Sequence, residues 1–206
     1  MSEFPVVVVK VGGSLLDWRE LPQRLTGWLR SRPAGLHVLV AGGGALCEVV
    51  RQADARFALG QERAHWLCID ALSITASILS RVLNNAPLVD SLATVRALQD
   101  KQRGHATCVF DPRPFLQSEE SPQAGEALPH TWDITTDSIA ARIANCLSAD
   151  LVLLKSCDAP STDIEAASGA GFVDAFFPHA APPLRHIGYV NLRRGNEIVP
   201  LYGADR

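Results

Sequence analysis

The chain has 206 residues, 47% hydrophobic and 20% charged, with a formal net charge of −3. That size and composition suit one globular domain with a sizeable core, and the mildly acidic balance offers no basic face to a nucleic acid. No apolar run reaches the roughly 20 residues that span a bilayer, so no membrane partner is expected.

Met1 to Pro5 lacks a basic segment ahead of an apolar one, so no signal peptide is expected and the chain reads as cytoplasmic. The first informative stretch is Val6-Val7-Val8-Val9-Lys10-Val11-Gly12-Gly13-Ser14. Consecutive valines cannot alternate in and out, so they predict a strand buried on both faces, at the centre of a parallel sheet. Lys10 then falls near the carboxyl end of the strand, the edge where open α/β sheets bind ligands. Glycines there let backbone N–H groups approach an anion, and the lysine adds a cation. The motif is neither G-x-G-x-x-G nor G-x-x-x-x-G-K-[ST].

Helical spacing follows over Leu21 to Leu29. Leu36 to Ala41 predicts a second buried strand, and Gly42-Gly43-Gly44 leaves it at once. Strand, glycine turn, helix, strand, glycine turn is a βαβ unit, which puts both turns on one sheet edge. Two such turns side by side can hold two phosphoryl groups. Helices are predicted over Ala45 to Phe57, Gln61 to Asn84 and Leu92 to Lys101, and a strand over Ala106 to Phe110. The first of these helices aims its positive end at the second turn. Gln117 to Ala127 is polar and acidic, and 111–130 reads as a loop or lid. The cysteines Cys47, Cys68, Cys108, Cys146 and Cys157 form no C-x-x-C pair and read as reduced packing residues, with no metal spacing.

His130 to Ser138 is the second informative stretch. Thr135 or Thr136 can cap a helix that carries Asp137 in its first turn. Asp150 to Leu154 predicts another buried strand, and Lys155-Ser156-Cys157-Asp158 leaves it, so a second lysine meets the ligand edge. Ile187 to Leu192 and Ile198 to Leu201 read as a closing hairpin. Asp54, His65 and Asp70, in or near the helices predicted over 45–84, are either solvated or locally paired side chains or part of a substrate pocket beside the second turn, where carboxylates would suit a substrate amine.

Lys10-Val11-Gly12-Gly13-Ser14, Gly42-Gly43-Gly44 and Thr136-Asp137-Ser138-Ile139-Ala140-Ala141 together resemble the amino acid kinase family, in order and spacing, over nearly the whole chain. The resemblance implies a three-layer αβα sandwich with a mainly parallel central sheet, ATP as donor, Mg2+, a small-molecule phosphoryl acceptor and a homo-oligomer. It implies that Lys10 neutralises the transferring phosphoryl and that Asp137 orients this lysine. Gly12, Gly13 and Ser14 would hold the donor phosphates, and Ser156 and Asp158 would lie at the nucleoside. Gly42, Gly43, Gly44 and Thr136 would line the acceptor side, joined by Arg63 and Asp133. Many members carry a second catalytic lysine near the position of Gly171 to Pro178, but no lysine follows Lys155 here. Lys155 is expected to supply that charge, with His179 as the alternative.

Ala64-His65-Trp66-Leu67, Trp132-Asp133-Ile134-Thr135 and Phe172 to Pro178 are similar to a small branch of the family, the aminomethylfuran phosphate kinases of methanofuran-type cofactor synthesis. That likeness implies transfer of the ATP γ-phosphoryl to an existing phosphate, for which Arg51, Arg63 and His65 are the local candidates, with Asp54, Asp70 and Asp133 as candidates for an amine on the substrate. Three other readings stay open: a carboxylate kinase of the acetylglutamate or aspartate type, a non-catalytic nucleotide or oxyanion binder, and a dinucleotide-dependent oxidoreductase. The last lacks its glycine fingerprint and an acidic residue closing strand two.

Overall fold

A computed structural model describes residues 4–101, 104–121, 123 and 126–203. Its strands are β1 (Val6–Val11), β2 (Gly35–Ala41), β3 (Leu88–Val89), β4 (His105–Phe110), β5 (Asp150–Lys155), β6 (Ile187–Asn191) and β7 (Val199–Pro200). They form one sheet in the order β3-β4-β2-β1-β5-β6-β7, parallel throughout except for the β6–β7 pair. The valine run of β1 therefore sits at the centre of the sheet, as its unbroken apolarity requires.

The helices are α1 (Leu21–Arg30), α2 (Gly44–Phe57), α3 (Gln61–Val82), α4 (Leu92–Lys101), the single turn α5 (Pro112–Pro114), α6 (Thr136–Cys146), α7 (Ile164–Gly169) and α8 (Phe177–Ala180). They cover both faces of the sheet. Val6 and Val8 of β1 face a layer that includes Ile139, Ile143, Ile164 and Phe177. Val9 and Val11 face Leu21, Leu25 and Trp28 of α1. This is the expected three-layer arrangement. Each buried Val or Leu contributes about 1.5–3 kcal/mol, so the two layers hold the sheet.

Sequence and structure differ in a few places. The long helix stops at Val82, because Asn84 and Asn85 take left-handed backbone, at φ 55° and 60°. Segment 111–130 is tied down in its described part. Phe115 and Leu116 are buried, and Glu120 accepts from Leu128 N (2.7 Å) and from Arg142 Nε (3.3 Å), both ion-pair partners being buried. Residues 122, 124 and 125 of the expected loop lie outside the described residues, as do residues 1–3 of the segment read for a signal peptide. All five cysteines are free, but only Cys108 is fully buried, which pushes its thiol up to about 12. No helix among the described residues is long and apolar enough to cross a membrane.

The two glycine turns meet at the carboxyl edge of the sheet. A Cβ on Gly13 would stand 2.4 Å from Gly44 N, and one on Gly42 would stand 2.5 Å from Gly13 N. Both contacts are to backbone, so neither can be relieved by turning a side chain. Gly13→Ala should therefore destabilise the protein by about 1–3 kcal/mol, read as a lower urea midpoint with unchanged m-value. An unchanged midpoint would show that the turns are not clasped.

Candidate active site

Strand parity brings two lysines together. Lys10 points to the same face of β1 as Val6 and Val8, and Lys155 to the same face of β5 as Leu151 and Leu153. β1 and β5 are adjacent, with Lys10 opposite Leu153. Above them α6 begins, and its second residue is Asp137. Lys10 Nζ lies 2.9 Å from Asp137 Oδ1, and Lys155 Nζ lies 2.9 Å from Asp137 Oδ2. All three residues are buried. Burial alone would raise the Asp137 carboxyl, but Lys10 and Lys155 outweigh it and hold the group below its usual range. Burial, and then the charge of Lys10, bring the Lys155 ammonium down to about 8, although Asp137 opposes the fall. Lys155 also donates to Phe172 O at 2.6 Å.

The start of α6 is pinned twice. Thr135 Oγ1 accepts from Asp137 N at 3.4 Å, as an N-cap does. Asp174 reaches in from the segment between α7 and α8. Its carboxylate accepts from Thr135 N (2.9 Å), Thr135 Oγ1 (2.8 Å), Ser138 N (3.0 Å) and Ser138 Oγ. Burial, and then Asp137 nearby, push the Asp174 carboxyl up, while these hydrogen bonds pull it down. Asp174 thus fixes the helix start that carries Asp137.

A cavity of about 220 Å3 opens beside Lys10, between the starts of α2 and α6. Gly13, Gly42, Gly43, Gly44 and Thr136 line it, as do Arg51 and His65. Lys155 is not among its lining residues and closes the far side of Asp137. Ser14 Oγ and Ser156 Oγ lie 2.8 Å apart, so the two strand ends that carry the lysines also touch through their serines.

Several expected positions are corrected. Gly12 N donates to Leu154 O at 2.8 Å, so it is not free for a phosphate, and a Cβ there would stand 2.9 Å from Leu154 O. Gly12 is a close-packing position. Arg63 is exposed on a shallow depression with Leu59 and Trp66, away from the cavity. Asp133 is exposed and does not line the cavity. Asp54 accepts from Trp132 Nε1 at 2.9 Å and Gly60 N at 3.0 Å, and Asp70 pairs with Arg113. Asp158 is exposed and held by Asn191 and Arg194, which keep its carboxyl below the usual range. His179 stacks on Phe176, outside the lysine pair.

Sequence reasoning missed Asp174, Trp132 and the Cys47–Cys68 pair as site residues. Trp132 lies beneath the Arg51 guanidinium, which is 5.4 Å from its ring centroid. Cys47 and Cys68 both line the cavity, and Cys47 Sγ lies 3.8 Å from Cys68 O. A tryptophan in the loop before a capped helix was the available signal for the first of these pairs. Nothing in the spacing of Asp174 announced its reach.

No protein-family profile matches the chain. Over 148 residues it is 24% identical to (5-(aminomethyl)furan-3-yl)methyl phosphate kinase of Methanocaldococcus jannaschii, an alignment covering 71% of this chain and 63% of the relative. The chain thus spans less than two thirds of that protein. Aspartate kinase from Synechocystis superposes with a TM-score of 0.61 at 14% identity, covering 97% of this chain and 40% of that one. Carbamate kinase from Giardia lamblia bound to AMP-PNP superposes with a TM-score of 0.56 at 11% identity, covering 93% and 94%. With its parallel sheet, its layers and these neighbours, the chain has the amino acid kinase fold.

Proposed function

We propose that this protein is an ATP-dependent kinase that moves the γ-phosphoryl group to a phosphomonoester, an acceptor like aminomethylfuran phosphate. The observation that carries the reading is the Lys10–Asp137–Lys155 arrangement, with both lysines 2.9 Å from one buried carboxylate between paired glycine turns. Phosphoryl transfer needs positioning and charge neutralisation more than covalent chemistry, and this arrangement supplies both. ATP, with Mg2+ on its phosphates, supplies the phosphoryl group. The acceptor type follows the M. jannaschii relative, a kinase of an aminomethylfuran phosphate, and the donor follows the AMP-PNP of the carbamate kinase.

The residues fit such a donor. The amides of Gly13 and Ser14 open a 3-10 turn, where N–H groups have no partner within their own helix. On the nucleoside side, Asn191 Nδ2 donates to Asp158 at 3.0 Å and holds that carboxylate in place. Among the described residues, no three His, Cys, Asp or Glu gather to hold a metal. Mg2+ therefore fits as a companion of the donor phosphates, which is its usual mode in kinases.

In this proposal Lys10 faces the cavity and binds the oxygens of the group in transfer. Asp137 holds Lys10 in place. It need not act as a base, because a phosphate oxygen is already ionised. Lys155 supplies the second cation from the other side. The acceptor phosphate meets the α2 N-terminus at Gly43 and Gly44, where the helix dipole favours an anion. The protein acts as a cytoplasmic homo-oligomer: α2 buries none of its residues, and Val49 and Phe57 join Ile74 of α3 in exposing apolar surface.

The direct test is ADP release from ATP and Mg2+ against a panel of phosphomonoesters, aspartate and N-acetylglutamate. Turnover of a phosphomonoester supports the proposal. Turnover of a carboxylate alone replaces it with the carboxylate kinase, and ATP binding without turnover replaces it with the binder. Lys10→Ala and Asp137→Asn should each lower kcat by about 100-fold or more. Melting curves run alongside separate this loss from unfolding, and near-normal rates would return Asp137 to a helix-starting role.

Lys155 predicts a pH effect. Its charged form is the low-pH form, and its pKa is lowered to about 8. Turnover should therefore hold below about pH 8 and fall as pH rises through that value, about tenfold per unit for one ionisation. Lys155→Arg should lose this alkaline limb, because guanidinium stays charged. A limb that survives the substitution belongs to another group. For the assembly, light scattering should give a multiple of the subunit mass, and the subunit mass itself would remove the homo-oligomer.

A further inference from the structure

Two thiols stand in the wall of the cavity. Cys47 ends the first turn of α2, and Cys68 lies on α3, the helix packed against it. Both line the cavity together with Gly43 and Gly44, and both are free and half-buried, so the cavity reaches them. The surroundings aim the Cys47 sulfur. A Cβ on Gly43 would overlap Cys47 Sγ, so the sulfur occupies the space that this glycine leaves open. From there it donates to Cys68 O at 3.8 Å, and the two side chains hydrogen-bond to each other.

The two thiols differ in chemistry. The Cys68 thiol donates to the Cys47 sulfur. This holds the Cys47 thiol below its usual range against burial, and Arg51 one turn on adds to the fall. A place in the first turn of a helix favours a thiolate as well. The same hydrogen bond, and then burial, push the Cys68 thiol up, so Cys68 keeps its proton. Burial raises the thiols of Cys108 and Cys146 instead of lowering them. Cys47 is the nucleophile of the pair, and Cys68 is placed to resolve it.

We propose that Cys47 and Cys68 form an oxidation site: a hydroperoxide entering the cavity joins them in a disulfide that disables the acceptor side, and a thiol reductant restores it. The Cys47 thiolate attacks the peroxide, so an S–O bond forms, the O–O bond breaks and hydroxide leaves. The Cys68 sulfur then attacks the Cys47 sulfur, so the S–S bond forms and the S–O bond breaks. The protons of both thiols end on the two hydroxides. Two thiols and one H2O2 give one disulfide and two waters, and the sulfurs lose the two electrons that the oxygens gain. A covalent S–S bond is shorter than any non-bonded contact between thiols, so forming it draws the α2 start toward α3. Gly43 and Gly44 then shift relative to Lys10, and a displacement of about 1 Å at a reacting group can cost about 100-fold in rate. The loss of activity rests on the cavity being the acceptor side of the kinase; bond formation does not depend on it.

The test treats the chain, freed of reductant, with a few equivalents of H2O2, followed by alkylation and mass spectrometry. Two of the five thiols should escape alkylation, and trypsin should leave peptide 31–51 joined to peptide 64–81. With (5-(aminomethyl)furan-3-yl)methyl phosphate as acceptor, kcat/KM should fall at least about tenfold and return with dithiothreitol. Cys68→Ser should leave a sulfenic acid on peptide 31–51, trapped by dimedone, and no joined peptides. Absence of the joined peptides in the unaltered chain, joined peptides with unchanged kcat/KM, or the same peroxide inhibition in Cys47→Ser overturns the inference. A Cys68→Ser chain with no dimedone on peptide 31–51 removes Cys47 as the attacked thiol. The kinase reading is judged separately by ADP release from the reduced chain. Joined peptides in a chain that never turns over ATP keep the oxidation site and remove the kinase.

Discussion

One carboxylate organises the centre of this molecule. Asp137 is almost fully buried and is tolerable there only because a lysine stands on each of its oxygens. The dependence is mutual. Without Asp137 the two ammonium groups would face each other in a low-dielectric pocket, where burial first and Lys10 second already lower the Lys155 ammonium. The triad keeps one net positive charge among three buried groups. That surplus faces the edge where the two glycine turns meet, with Asp174 close enough to favour the charged form of Lys155.

The rest of the fold serves this placement. β1 and β5 must be adjacent and in register, or the lysines would not share a carboxylate. α6 must begin above them, and Thr135 and Asp174 determine where it begins. The glycine turns must touch, because any side chain at Gly13 or Gly42 would hold the α2 start away from the β1 end. Packing, capping and electrostatics here are one constraint seen from three directions.

Much of this was legible in the sequence. The valine run, the two glycine turns and the Thr-Asp start of α6 are local signals with local causes, and each element falls where its pattern predicts. Lys10 and Lys155 were legible as strand-end residues. That they share one carboxylate was not, because it depends on which strands are neighbours and on their register. Arg63, Asp133, Asp54 and Asp70 misled for a related reason. Residue type and proximity in sequence show that a charge is near a turn, but not which way the helix face turns it. Asp54 illustrates this, since a tryptophan 78 positions away takes up its second oxygen. Gly12 misled more subtly. Its amide lies at the right edge, but the neighbouring strand uses it.

The second cation shows how the chain reaches its charge balance at this length. No lysine follows Lys155, so the positive charge opposite Lys10 comes from β5 itself. The later segment still contributes. Phe172 O accepts from Lys155 Nζ, the Phe172 ring lies 4.9 Å from that nitrogen, and Asp174 two residues on holds the start of α6. A segment without a lysine thus positions the lysine already present. A strand-end lysine has less freedom than one on a loop, and this one is held by a carboxylate, a carbonyl and an aromatic face. In the proposed kinase that restraint would suit a cation beside the group in transfer, since electrostatic stabilisation depends on charges that do not reorganise during the reaction.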